Sequence, residues 1–287
     1  MYTNIKQLVD FAKEKPLHKV IIETEQALTN ITQQEIMDKF RQRWQVMKTS
    51  ACRALDTPQN MIGNLISGQA SKQNKYSQTK GFLGYDTNKM MAMALSSSEV
   101  NAGMGRICAA PTAGACGILP AVMLTVQENL NATEEQVLQG LIVATGIGAV
   151  ITKNATVSGA EGGCQAECGV AAAMAAAGAV YMAGGTAEMC ANACAIALMN
   201  CMGLICDPVA GLVQLPCSFR NASQSVNALA SADLALAGQE SIIPADEVIE
   251  SMYRVGKKLP IEFRETALGG IAVSPTGKKI TKELFDM

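Results

Sequence analysis

SGAEGGCQAECGVAAAMAAAGAVYMAGGTAEMCANACAIALMNCMGLICDPVAGLVQLPCSFR, residues 158–220, decides how the rest of the chain reads, because it holds seven of the ten cysteines and most of the residues that break regular structure. Cys164, Cys206 and Cys217 sit where a helix is expected to begin or a loop to run. Cys168, Cys190, Cys194 and Cys201 fall inside alanine- and methionine-rich runs with helical spacing. A thiolate is favoured at a helix N-terminus by unpaired amides and the dipole, whereas a cysteine in mid-helix among alanines behaves as a small hydrophobe. The first three are therefore read as ligands and the other four as packing. Cys164/Cys168 and Cys190/Cys194 are each spaced i, i+4, which can set two ligands on one face but equally gives one packed stripe; packing is the reading taken.

Outward from this stretch the chain reads as one helix after another. A helix is expected from Gly162 to a Gly-Gly stop at Gly184, and another from Thr186 to Gly203. Asp207-Pro208 and Pro216 forbid continuous helix through 204–217, and a third long helix follows from about Ser218 to Gly238. Upstream, Thr32 and Glu35 make a capping box. Ile36, Phe40, Trp44, Met47 and Ala51 then recur at helical spacing until Asp56-Thr57-Pro58, with Cys52 placed in the core. The polar, glycine-bounded segment 67–86, SGQASKQNKYSQTKGFLGYD, reads as a long loop, either a lid or a plain connector. Further helices are expected over 87–100, from the 105–120 segment through Leu130, after the Thr133/Gln136 cap, and from Pro244. There is no strand-helix alternation, dinucleotide glycine fingerprint, phosphate-binding loop or internal repeat. The predicted fold class is all-α: closely packed Ala/Gly/Met-rich helices with a loop-borne site. A single domain is expected over 1–287, with a helical lead-in to about 86 and a catalytic core over about 87–272.

Of the 287 residues 49% are apolar and 4% aromatic, and the net charge is −2 with no long basic run. Such a surface offers no electrostatic footing for nucleic acid or an anionic membrane. The N-terminal MYTNIKQLVDFAKEKP reads as a polar amphipathic helix rather than a secretory signal. Ten cysteines then point to the reducing cytoplasm, where thiols serve metals, redox chemistry or packing. The apolar runs Gly140 to Thr152 and Val170 to Gly184 are shorter than the roughly 20 residues a bilayer requires, and are read as buried helices.

Two polar constellations stand out. GRICAAPTAGACGILP, residues 105–120, is a small-residue turn feeding a helix, so amides near Thr112, Gly114 and Gly117 could receive a carboxylate; the alternative is an ordinary tight connection. Its Cys108 and Cys116 have no partner at a metal-ligand spacing and are read as packed side chains. Lys153, Asn154, Thr156, Ser158 and Glu161 form a polar patch between two apolar helices, either solvated at a helix end or gathered around a ligand, and proximity to Cys164 favours the second. His18, the sole histidine, lies in a polar segment and is expected to be solvated.

The blocks GRICAAPTAGACGILPAV, KNATVSGAEGGCQAECGVAAAMAAAG, GLICDPVAGLVQLPCSFRNA and FRETALGGIA, spanning about 105–272, resemble in order the alpha subunit of bacterial iron-sulfur L-serine dehydratase (L-serine ammonia-lyase). The resemblance implies a [4Fe-4S] cluster held by Cys164 in GGCQ, Cys206 in ICDP and Cys217 in LPCS, with one iron left open as Lewis acid for the hydroxyl of L-serine, and no pyridoxal phosphate. The implied products are pyruvate and ammonia, and the implied partner is a separate beta subunit in a heterodimer, for which 67–86 is a candidate contact. Lys153 is the expected base for the Cα proton, with Glu161, Glu167 and a beta-subunit group as competitors. The substrate carboxylate is expected at the Thr112 and Gly114 amides together with Asn154 or Ser158. A cluster lyase acting on cysteine or threonine and a noncatalytic iron-sulfur scaffold are the alternative readings.

Overall fold

Side chains able to accept from the first turn of a helix set many of the helix starts. In the computed structural model, which describes residues 1–285, Asn4 caps α1 (Ile5–Phe11), and α2 (Leu17–Thr29) follows Pro16. The Thr32/Glu35 capping box opens α3 (Gln33–Arg53), whose Ile36, Trp44, Met47 and Ala51 are buried as the spacing predicts. Cys52, expected in the core, is exposed, since it follows Ala51 by one position and so turns off the buried stripe.

The segment expected to be a long loop is mostly helix: α4 (Gln69–Ser77) packs along α5 (Gly84–Ala102). The cause is a cap supplied from far along the chain. Glu99 of α5, fully buried, accepts from Gly68 N (3.1 Å) and Ala70 N (2.8 Å) at the start of α4, and from Gln59 N (3.1 Å). A carboxylate there satisfies the orphan amides of the first turn and suits the positive end of the helix dipole.

The helices α6 (Ile118–Leu130) and α7 (Glu134–Asn154) follow, the latter opened by the Thr133/Gln136 capping box. Instead of one helix over 162–184 there are three pieces: α8 (Gly159–Gly162), a break at Gly163 with φ 75°, and a π turn over Gln165–Gly169 that leads into α9 (Val170–Met182). Thr186 then caps α10 (Ala187–Asn200), and α11 (Cys217–Leu236), α12 (Ala245–Lys258) and α13 (Pro275–Phe285) complete the chain. Among the described residues the only extended pairing is a single bridge between Cys206 and Arg264, so the fold is all-α.

The core is centred on α9, in which every residue but Tyr181 is buried, with α6, α7, α10 and α11 packed around it. Small side chains make that enclosure possible: a Cβ on Gly178 would lie 2.9 Å from Gly140 O of α7. Cys190 and Cys194 are buried in this core as packing residues, as the sequence suggests. By length and composition α7 could cross a membrane, but 67% of its apolar window is buried against the rest of the fold. His18 differs from expectation. It is half-buried, with Nδ1 2.6 Å from the Tyr181 hydroxyl, because α2 lies against α7 beside the one partly exposed position of α9.

Candidate active site

The three singled-out thiols come from three different elements. Cys164 directly precedes the π turn, Cys206 lies in the irregular 204–216 segment, and Cys217 is the first residue of α11. All are buried, at 3%, 4% and 8% exposure. Cys164 is held below the ordinary thiol pKa, first by a hydrogen bond from the adjacent Cys168 and further by the charge of Arg220. Burial pushes Cys206 far up, and the charges of Cys164, Glu167 and Cys217 add to that. Cys217 is raised to about 12 by burial and then by Cys164 and Glu167. The charge of Cys164 thus acts on both Cys206 and Cys217, and that of Cys217 on Cys206, so a cation placed among them would favour their thiolate forms. Cys168, read as packing alone, also has this polar role beside Cys164.

A carboxylate sits against the thiols. Glu167, in the π turn, accepts from Thr112 Oγ1 at 2.7 Å, and the Cys206 thiol lies 3.9 Å from its other oxygen. Burial raises the pKa of Glu167, the Thr112 hydrogen bond opposes that, and the charge of Glu265 adds to it. The ligand atoms of Glu167, Cys206 and Glu265 lie within 4.8 Å of one another. Glu265 and Ala267 have φ of 65° and 56°, left-handed backbone at non-glycine residues, in the FRETALGG turn that walls the site. Opposite, a Cβ on Gly159 would fall 2.5 Å from one Glu167 oxygen and 3.2 Å from Glu265, so the SGAEGG turn comes as close as a bare backbone allows.

A model of the family described as serine dehydratase alpha chain matches residues 12–272. The chain belongs to the serine dehydratase alpha chain family. It is 46% identical to the L-serine dehydratase alpha chain of Peptoniphilus asaccharolyticus over 99% of both chains. To the probable L-serine dehydratase alpha chain of Bacillus subtilis (strain 168) it is 44% identical over 99% of this chain and 96% of that one. L-serine dehydratase 1 of Escherichia coli (strain K12) is 38% identical over 84% of this chain but only 55% of its own length.

The residues expected from sequence divide. Thr112 and Gly114 stand at Glu167, where a Cβ on Gly114 would be 3.1 Å from the carboxylate. Gly117 is withdrawn from substrate, since its amide donates to Asn221 Oδ1 at 2.8 Å. Ser158 precedes Gly159 at the start of α8, its own amide donating to Thr156 Oγ1 (3.2 Å). Asn154 points elsewhere and donates to Thr3 O at 2.9 Å. Lys153 and Glu161 are exposed. Sequence reading passed over Glu265, Arg220 and Asp207. In the sequence Asp207 stands out only as part of a helix-breaking Asp-Pro pair, and no spacing rule selects Glu265 from FRETALGG or Arg220 from CSFR.

The donor set fits the implied cluster. Three buried thiols from separate segments suit a cube that offers each a different iron, and soft thiolates select such clusters. The buried Ser218 hydroxyl, on the residue after Cys217, has no hydrogen-bond partner among the described residues.

Proposed function

We propose that this chain is the cluster-bearing subunit of a cytoplasmic L-serine dehydratase, working as a heterodimer with a separate beta subunit and producing pyruvate and ammonia. What supports this reading is the burial of Cys164, Cys206 and Cys217, with the charge of Cys164 acting on the other two and the Cys206 thiol 3.9 Å from the carboxyl of Glu167. The relatives' designation as alpha chains, and the longer E. coli relative of which this chain matches 55%, support a partner polypeptide.

Cys164, Cys206 and Cys217 would hold a [4Fe-4S] cluster, which when bound supplies a Lewis-acid iron for the departing hydroxyl. The chain's own groups do the rest. The Thr112 and Gly114 amides receive the serine carboxylate, with Ser158 at the rim. Glu167 takes the Cα proton, a role that passes to it from Lys153 because, of Lys153, Glu161 and Glu167, only the last touches a ligating thiol. The Cα–H electron pair becomes the Cα=Cβ bond as the Cβ–O bond breaks, and the proton taken by Glu167 passes to the departing hydroxide, giving aminoacrylate and water and restoring the carboxylate. Aminoacrylate tautomerises to the imine, which water hydrolyses to pyruvate and ammonia, so no oxidant or pyridoxal phosphate is required.

Anaerobic co-expression with the neighbouring beta subunit, followed by iron and sulfide analysis and a pyruvate assay, tests the reading. Equimolar iron and sulfide with serine-dependent pyruvate are expected. A cluster-loaded complex that makes no pyruvate from serine would overturn it, and product from threonine or cysteine instead would reassign the substrate.

A further inference from the structure

Arg220 lies one turn into α11, three residues after Cys217, and its guanidinium reaches across to the segment carrying Cys206. Nη1 donates to Ile205 O and Nη2 to Asp207 Oδ1, each at 2.8 Å, so the fork grips the residues on either side of Cys206. The other Asp207 oxygen accepts from Ile271 N at 2.7 Å. Cys206 is itself fixed through its backbone, its N donating to Phe263 O (2.8 Å) and its carbonyl accepting from Glu265 N (2.9 Å). The Arg220 and Asp207 side chains are 16% and 3% exposed, so the pair is shielded from water. The charge of Arg220 also acts on Cys164.

From this geometry we infer that Arg220, acting through Asp207, is the positioning residue that holds the segments bearing Cys206 and Cys217 in the register the cluster needs. The inference rests on the cluster reading above. One guanidinium links the α11 start bearing Cys217, both neighbours of Cys206 and, through Asp207, the wall formed by residues 263–272. A network with one such hub has a definite failure mode: without the fork, Cys206 is free to shift relative to Cys217 while the helical core, built elsewhere on α9, is untouched. The fork matters as much as the charge. Its two parallel N–H groups meet acceptors on two different residues, which an ammonium on a flexible stem does not reproduce.

The test uses the full chain co-expressed anaerobically with its beta subunit, as wild type, Arg220→Lys and Asp207→Asn. Iron and sulfide per chain, the cluster's electron paramagnetic resonance spectrum, and helicity and thermal unfolding of the metal-free form are measured for each. Arg220→Lys is expected to keep wild-type helicity and melting in the metal-free form while cluster retention falls on the order of tenfold, the scale on which outer partners of metal ligands act. Asp207→Asn is expected to lose cluster in the same way with an altered spectrum. Full loading and an unchanged spectrum in both variants would overturn the inference. So would loss of cluster only alongside collapse of the metal-free fold, since that marks a general structural role. A wild-type complex without cluster would instead overturn the cluster reading itself.

Discussion

Glu167 and Lys153 are fourteen residues apart in sequence, and their environments differ sharply. Glu167 is largely buried against Thr112 and Cys206, whereas Lys153 is exposed at the end of α7. Glu167→Gln should therefore lower kcat by about 10²–10⁴-fold, the usual range for a lost general base, with iron content unchanged. Lys153→Met should leave turnover near wild type. The opposite ranking in a pyruvate assay would return the base to Lys153. Sequence could name Glu167 as a candidate but not choose it, because its selecting contact, Thr112, lies 55 positions away. The placement of Cys206 in a loop and Cys217 at a helix start was legible, since those are local features, but burial raises the pKa of both thiols where a helix start alone would lower it. His18 shows the reverse case, a residue misplaced because its partner, Tyr181, belongs to a distant helix. Its pKa is lowered by burial and then by the charge of Lys19. A histidine harder to protonate when folded contributes stability that is present above its unfolded pKa of about 6.5 and is lost as pH falls through the lower folded value. Melting of the metal-free chain should thus drop on acidification from about pH 7.5 to 5.5, and His18→Gln should flatten that slope. Parallel slopes would show that the ring plays no part.

The helix starts were legible wherever the cap is local, as at Thr32, Thr133 and Thr186, because an accepting side chain and its target amide lie three residues apart. The failure at α4 has the converse cause. No residue next to Gln69 caps it, and composition alone suggests a loop, yet Glu99 from the next helix supplies the acceptor. Replacing that carboxylate with an amide turns donors toward donors. Glu99→Gln is expected to destabilise the chain by about 1–3 kcal/mol in urea unfolding, the cost of a buried group left unsatisfied. Amide exchange should rise first over residues 69–77, and uniform exchange throughout the chain would mean that α4 does not depend on this cap. The α7–α9 contact makes a second claim at this scale. With 2.9 Å available to a Cβ at Gly178, Gly178→Val should cost about 1–3 kcal/mol by overpacking, measurable in the same unfolding experiment.

Taken whole, the molecule separates what folds from what reacts. The core around α9 is aliphatic and closed on itself, and its alanines, valines and methionines need no metal to be buried. The site is assembled from pieces laid on that core: the turn after α8, the irregular 204–216 segment and the 261–273 turns, joined by a few backbone bonds around Cys206 and by the Arg220–Asp207 pair. A small domain that lacks a core of its own unfolds when its metal is stripped, because binding free energy is its folding free energy. This chain should behave differently, opening locally where apolar contacts are few. Anaerobic removal of iron should leave helicity by circular dichroism unchanged, while limited proteolysis speeds up within 204–216 and 261–273. Loss of helical signal in step with iron would show instead that the core is not independent. An unchanged cleavage pattern would show that the sulfur-bearing segments are held by protein contacts alone, with Arg220 and Asp207 sufficient to keep the site in place without the cluster.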